Sequence, residues 1–308
     1  MGAAFIFPGQ GSQYVGMGKE IYDAFPEARE VFEMASEGAK MDIAKLCFES
    51  SESELTLTYN AQPAILTVSM AVLTVLRKNG FSVKPELVAG HSLGEFSACC
   101  AADGFSVSDG AYLVRKRGEF MQEAVPEGMG GMTAVIGLPA DKIEEILKTV
   151  ISGFVQIANY NSPEQTVISG DIKALEEAEK KLEETGAKRI VRLAVSAPFH
   201  SELMKPAAER LKEEMEKIAF NMLSVPLLNN ADVSELKQPD EVKNSFYRQM
   251  FSPVRWVEDV SYMESKGIDL CYEIGPKNVL KGLIRRITRN IKVVSVEKPK
   301  DIEKLLEG

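Results

Sequence analysis

Short apolar runs alternating with longer segments of helical period dominate both ends of the chain. Near the start, AAFIF (3–7) predicts a buried strand, residues 62–78 a helix, ELVAG (86–90) a second strand, and the stretch through FSACCAADG (96–104) another helix. Toward the other end, VPLLNN (225–230), a helix over 242–250, DLCYEIG (269–275) and KVVSV (292–296) continue the alternation, with Gly and Pro punctuating the joins. Strands separated by helices imply a mostly parallel sheet.

Between about 126 and 195 the grammar changes. GMTAVIGL (131–138), DKIEEILKTV (141–150), VQIANY (155–160), QTVISG (165–170), DIKALEEAEKKLEETG (171–186) and KRIVRLAV (188–195) read as strand, helix, strand, strand, helix, strand. That order, βαββαβ, is ferredoxin-like. The second helix carries a charged outer face and stops at Gly186, a residue suited to a C-cap. The chain is therefore read as α/β: a large hydrolase-like domain built from 1–125 and 196–308, interrupted by a small ferredoxin-like domain over 126–195.

Composition narrows the class. The 308 residues are 45% hydrophobic and 26% charged, ordinary for a folded protein large enough for a substantial core. No uninterrupted apolar run approaches the roughly 18 to 20 residues of a membrane-spanning helix, and MGAAFIFPGQG lacks the basic start of a signal peptide. Ile6 stands where a myristoylation motif wants Ser or Thr. No membrane association is expected, and the cytoplasm is the expected location. The net charge of −9 argues against nucleic acid as a partner. Cys47, Cys99, Cys100 and Cys271 show no CxxC spacing and predict reduced, buried thiols.

Chemistry concentrates at Gly90-His91-Ser92-Leu93-Gly94, which matches G-x-S-x-G. A strand precedes it and a helix follows, the context in which such a serine is exposed on a sharp turn. A helix N-terminus there favours developing negative charge, and the N–H of Leu93 is a natural oxyanion donor. The serine needs a base, and the chain has two histidines. His91, adjacent to Ser92 in the turn, is badly placed to reach its hydroxyl, which leaves His200 in SAPFHSELMKP. No carboxylate announces itself as a third member, so a backbone or amide carbonyl is an alternative orienter of the ring. Gly9-Gln10-Gly11-Ser12-Gln13 invites a nucleotide-loop reading but fails it, because G-x-G-x-x-G would need glycine at Tyr14. Its glycines instead suit a close backbone approach to the serine turn.

Taken together, FPGQGSQ (7–13), GHSLGE (90–95), RKRGEFM (115–121), ANYNSP (158–163), APFH with SELMKPA (197–207) and QMFSPVRW (249–256) span nearly the whole chain. This set resembles the malonyl-CoA:acyl-carrier-protein transacylases of fatty acid synthesis and the related acyltransferase domains of polyketide synthases. The resemblance implies that Ser92 is the acylated nucleophile and His200 its general acid/base. It further implies that Gln10 gives a second oxyanion N–H beside Leu93, that Arg117 holds the malonyl carboxylate, and that the main-chain carbonyl of Gln249 orients His200. Phe199 is then expected to narrow the pocket against an α-methyl branch. Malonyl-CoA and acyl carrier protein are the implied partners, with no metal and no cofactor beyond the coenzyme A thioester that is substrate. Because carrier proteins are acidic, Lys188, Arg189 and Arg192, or Lys281, Arg285, Arg286, Arg289 and Lys292, are candidate docking residues. The competing readings are a trans-acting polyketide acyltransferase, a serine thioesterase, and a noncatalytic carrier-binding protein.

Overall fold

A computed structural model describes residues 2–126, 128–195 and 197–307. β1 (Gly2–Phe7) leads into α1 (Lys19–Ala24), α2 (Pro26–Ala39), α3 (Ile43–Glu49), α4 (Glu52–Thr56) and the long α5 (Thr58–Lys78). β2 (Leu87–Gly90), α6 (Leu93–Ala101) and α7 (Val107–Glu123) follow. Next come β3 (Gly130–Ile136), α8 (Ala140–Leu147), β4 (Val155–Ser162), β5 (Gln165–Asp171), α9 (Ile172–Glu184) and β6 (Arg189–Arg192). The chain closes with α10 (Lys205–Met215), β7 (Leu227–Leu228), β8 (Glu235–Leu236), α11 (Pro239–Gln249), α12 (Trp256–Ser265), β9 (Ile268–Ile274), α13 (Val279–Ile287), β10 (Lys292–Val296) and α14 (Pro299–Leu306).

Six strands form one sheet in the order β10-β9-β1-β2-β7-β8, parallel throughout except where β8 folds back antiparallel on β7. The inner strands are apolar on both faces, as helices on either side require. Phe5 and Phe7 pack into one cluster with α2, α5, α6 and α7, while Ala4 and Ile6 pack into another with α12 and α13. The serine turn follows β2, one strand from β1, at the C-terminal ends of the parallel strands, where sites of open α/β sheets form.

The other sheet is antiparallel, in the order β4-β5-β3-β6, the ferredoxin-like order that βαββαβ predicts. Alternation decides its two faces. Val135, Ile157 and Ile168 meet Ile143 and Leu147 of α8 and Leu175, Ala178 and Leu182 of α9. Met132, Ala134, Ala158 and Val167 face the other way and join the main core. The sheet is tied to the rest of the chain at its β4 edge: Val254 donates its N–H to Ala158 O (2.8 Å) and accepts from Tyr160 N (2.9 Å).

Two departures from the predicted elements bear on the site. α5 starts at Thr58, four residues before the predicted start, with Pro63 inside it. Proline has no N–H for the carbonyl of Tyr59, and Arg115 on α7 supplies the missing donor, Nη1 to Tyr59 O at 3.1 Å. β6 ends at Arg192, so that Leu193–Val195 line a cavity instead of extending the strand. With 21 residues and a mean hydropathy of 1.3 over its most apolar 18, α5 is long and apolar enough to cross a bilayer, but 89% of that stretch is buried inside the fold.

Candidate active site

The serine turn is built by close backbone approach. A Cβ on Gly90 would overlap the carbonyl carbon of Gly94, and one on Gly94 would overlap the carbonyl oxygen of Phe7. Between them Ser92 adopts φ 54°, ψ −106°, a conformation that costs a non-glycine residue roughly 1–3 kcal/mol and persists because its surroundings fix it. Asn230 accepts from Ser92 N through Oδ1 (2.8 Å) and donates Nδ2 to Gly90 O (2.8 Å); Gln249 Nε2 donates to Ser92 O (3.0 Å). His91 N donates to Phe7 O at 3.1 Å, which ties the turn to β1.

Ser92 Oγ lies 2.6 Å from His200 Nε2. His200 Nδ1 lies 2.9 Å from the main-chain oxygen of Gln249. A carbonyl can only accept, so Nδ1 carries the hydrogen and Nε2 presents its lone pair to the serine. Burial, reinforced by the positive charge of Arg117, holds the His200 pKa down to about 3 and keeps the ring neutral. The backbone of His200 is also strained, at φ 55°, and its carbonyl is held by Gln156 Nε2 of β4 at 3.0 Å. His91 points away from Ser92. Its Nε2 engages Asn161 Oδ1 at 2.7 Å and its ring packs edgewise on Trp256.

Arg117, on α7, is 1% exposed. Its Nη1 donates to Gln62 Oε1 (2.8 Å), and its Nη2 to Gln249 Oε1 (3.0 Å) and Ser92 Oγ (3.2 Å). The ring of Phe96 lies 5.3 Å from the guanidinium carbon, and Nε has no hydrogen-bond partner among the described residues. Among the described residues no carboxylate forms an ion pair with it, although Arg115 and Lys116 beside it pair with Glu119. A buried cation with only neutral partners, beside a serine hydroxyl, is a place for an anion.

A cavity of about 300 Å³ opens over Ser92, Arg117 and His200. Gln10 and Leu93 line it together; Leu93 is the first residue of α6, so its N–H has no partner within the helix. The loop carrying Gln10 sits against the serine turn because Gly9 has no Cβ, which would overlap the His91 carbonyl oxygen. Gln10 Nε2 reaches Thr58 Oγ1 (3.3 Å), and Lys277 Nζ holds Gln13 O (3.0 Å). Met121, Met132, Leu193, Val195 and Phe199 supply the apolar wall.

All seven residues singled out in the sequence thus surround one cavity or its base: Ser92, His200, Arg117, Gln10, Leu93 and Phe199 line it, and Gln249 lies directly behind His200. Sequence reasoning missed the polar residues beneath them, Gln62, Glu95, Gln156, Asn161 and Asn230. Gln62 and Glu95 gave a readable signal, each being polar inside an apolar helical stretch where burial without partners is costly. The four cysteines are buried free thiols.

Residues 4–299 match the family model described as the acyl transferase domain. The malonyl CoA-acyl carrier protein transacylase of Bacillus subtilis (strain 168) is 45% identical over 302 residues, covering 97% of this chain and 95% of that protein. The crystal structure of the acyl-carrier-protein-S-malonyltransferase from Bartonella henselae superposes with a TM-score of 0.97 at 45% identity, over 100% of this chain and 99% of that one. A malonyl-transacylase solved in complex with its type II PKS acyl-carrier protein superposes with a TM-score of 0.96 at 39% identity, over 100% of this chain and 99% of that one. The chain is a member of the acyl transferase family.

Proposed function

We propose that the protein transfers the malonyl group of malonyl-CoA to the phosphopantetheine thiol of acyl carrier protein, for fatty acid biosynthesis, through a malonyl-Ser92 intermediate. The observation that carries this reading is a serine hydroxyl 2.6 Å from a neutral imidazole and 3.2 Å from a buried arginine that, among the described residues, forms no ion pair with a carboxylate. His200 Nε2 takes the Ser92 proton as Oγ attacks the thioester carbonyl carbon. The N–H groups of Leu93 and Gln10 receive the oxyanion. Collapse breaks the C–S bond, and the departing coenzyme A sulfur takes the proton from His200. The carrier thiol reverses these steps, giving its proton to His200, which returns it to Ser92. The Gln249 carbonyl fixes the imidazole tautomer throughout, the role a carboxylate plays in a Ser-His-Asp triad.

Arg117 gives the selectivity. A guanidinium offers a carboxylate two parallel hydrogen bonds, and the apolar wall gives acetyl nothing equivalent. Losing one partner of a buried charge pair costs about 3–5 kcal/mol. Arg117→Ala should therefore depress malonyl transfer by roughly 10² to 10³ while changing acetyl transfer far less. Equal falls for the two substrates, in single-turnover assays, would remove Arg117 from this role. Phe199 packs beside the base and disfavours an α-methyl branch by only about 1–3 kcal/mol, which makes that selectivity leaky.

The decisive experiment is intact-protein mass spectrometry after mixing with malonyl-CoA. A malonyl adduct on Ser92 that persists in buffer and is discharged by carrier thiol is expected. An adduct lost to water at the same rate without carrier would make the protein a thioesterase. The complex of a relative with a type II PKS carrier supports a second reading, in which this chain also serves a polyketide carrier. Parallel discharge assays with carriers of both kinds separate the two. The free thiols fit the reducing cytoplasm as the place of action.

A further inference from the structure

Beneath the serine turn lies a carboxylate that the transfer reaction does not use. Glu95, in the first turn of α6, is fully buried. Its Oε2 accepts from Asn230 N (3.0 Å) and Gln249 Nε2 (2.9 Å), and its Oε1 from Ser245 Oγ (3.3 Å). One residue separates it from Arg117. The amide of Gln249 receives Arg117 Nη2 on its oxygen and donates to Glu95 through its nitrogen. This orientation is forced, because arginine only donates and an ionised carboxylate only accepts.

The other charged and titratable groups around Glu95 do not balance Arg117. Asp259, on α12, has its pKa raised by burial and by Glu95, and its Oδ2 accepts from Asn230 Nδ2 (3.0 Å), so it bonds away from Arg117. Cys99, one turn along α6, is held as the thiol by burial. His200, reached through the Gln249 backbone, is neutral. Among the described residues, Glu95 is the carboxylate joined to Arg117 through one side chain, that of Gln249.

We infer that Glu95 is the counter-charge of Arg117 in the free protein and takes up a proton from solvent as the acyl carboxylate docks on Arg117, so that the site holds one negative charge at a time. This rests on the malonyl reading given above. Two anions around one arginine in a dry site repel each other, and the site is neutral again only if one is protonated. Glu95 is the one that can be. Burial already brings its pKa up to about 7, against the hydrogen bonds and the Arg117 charge that pull it down. Oε1 is the oxygen to carry the proton, since its partner is a hydroxyl that can reverse direction and accept, whereas both partners of Oε2 are N–H donors. Gln249 keeps its bond to Oε2 in both states. Glu95 is therefore a positioning residue that exchanges charge without moving the groups that hold His200.

The test is titration calorimetry on Ser92→Ala protein, which cannot be acylated, in two buffers of different ionisation enthalpy. Malonyl-CoA binding should take up about half a proton at pH 7 and approach one at pH 8, as follows from a carboxyl titrating near 7. Acetyl-CoA should take up none. The ratio of malonyl-CoA to acetyl-CoA affinity should fall about fivefold from pH 7 to pH 8, by the same linkage. Ser92→Ala/Glu95→Gln should lose both effects, while Ser92→Ala/His200→Asn should keep them, which separates Glu95 from the base even if the first double variant does not fold. Malonyl-CoA preferred over acetyl-CoA with no proton uptake, or uptake lost with His200, overturns the inference and leaves the transfer reading standing. No preference for malonyl-CoA at either pH overturns the transfer reading itself.

Discussion

At the scale of single residues, the site is a serine and a histidine held in strained backbone by amides. Ser92 (φ 54°) and His200 (φ 55°) both have positive φ, and Asn230, Gln249 and Gln156 are the side chains that pin their backbones. The low His200 pKa sets the pH dependence. A histidine whose pKa falls from its ordinary 6.5 to about 3 stays a neutral base as pH falls through 6. The kcat/KM for malonyl-CoA, which reports the free protein, should therefore show no His200 acid limb between pH 7 and pH 5. A limb with its midpoint near 6.5 would mean the ring is solvated in a way this geometry does not allow. Glu95 gives a stability prediction of its own. Its folded pKa of about 7 lies above the usual 4.5, so the folded state holds the proton more tightly, and stability is lost as pH rises from about 4.5 to 7. Relative to wild type, Glu95→Gln should gain roughly 3 kcal/mol between pH 4.5 and pH 8 in urea unfolding, since every tenfold difference in proton affinity between the folded and unfolded states is worth about 1.4 kcal/mol. A stability difference that does not change with pH would show that Glu95 is not the titrating group. That Ser92 and His200 meet was legible in the sequence, because turn chemistry and the scarcity of histidine point to the pair. Of the amides beneath, Gln62 stands out as polar inside an apolar helix, but nothing local marks which backbone the side chains of Asn230, Gln156 and Gln249 face.

Elements carry these residues to one another, and the contact between α5 and α7 matters most. Gln62 comes from α5 and Arg117 from α7, one residue before Gly118. At Gly118 the helices touch backbone to side-chain-free backbone: a Cβ there would stand 2.5 Å from Tyr59 Cα. Gly118→Ala must push α7 away from α5, at a cost of about 1–3 kcal/mol in stability. Because Arg117 moves with its helix, malonyl transfer should fall by about ten-fold or more while the Ser92–His200 pair still transfers acetyl; a drop in stability alone, with the malonyl preference intact, would count against this coupling. The start of α5 escaped the sequence pattern for the same reason. Pro63 signals a helix start nearby, but Arg115, far along the chain on α7, satisfies the carbonyl that this proline leaves open and lets the helix begin at Thr58. The helices α1–α4 were not among the predicted elements, yet α2 shows a plain helical spacing in Ala28, Val31, Phe32, Ala35 and Ala39. The second sheet was legible almost strand by strand, because each of its faces is apolar at alternate positions.

For the whole molecule, the remaining problem is how an acidic carrier approaches a protein of net charge −9. Its attraction must come from local cations that are not already paired. In the first candidate group, Lys188 pairs with Glu164 and Arg192 with Glu179, which leaves Arg189 alone without an ion pair among the described residues. In the second, Arg286 donates to Gln165 on β5, so α13 reaches across to the antiparallel sheet. Lys281, Arg285, Arg289 and Lys292 are exposed and form no ion pair among the described residues. Paired surface charges contribute little to a long-range field, while unpaired ones steer a partner of opposite sign. The second group should therefore dominate docking. Arg285→Glu with Arg289→Glu should raise the apparent KM for carrier several-fold at low salt and leave acylation of Ser92 by malonyl-CoA unchanged. The same reversal at Lys188 and Arg192 should do less, because both cations are already paired in the wild type and do not steer the carrier to that face. Raising ionic strength should erase the difference between wild type and the Arg285/Arg289 variant, since exposed charges are screened beyond about 10 Å at 0.1 M salt. If the carrier KM is indifferent to both reversals, the carrier approaches by another face. If only the first group matters, the one unpaired cation on β6, Arg189, outweighs the larger set on and after α13, and proximity to the cavity at Leu193–Val195, rather than the number of unpaired charges, governs docking.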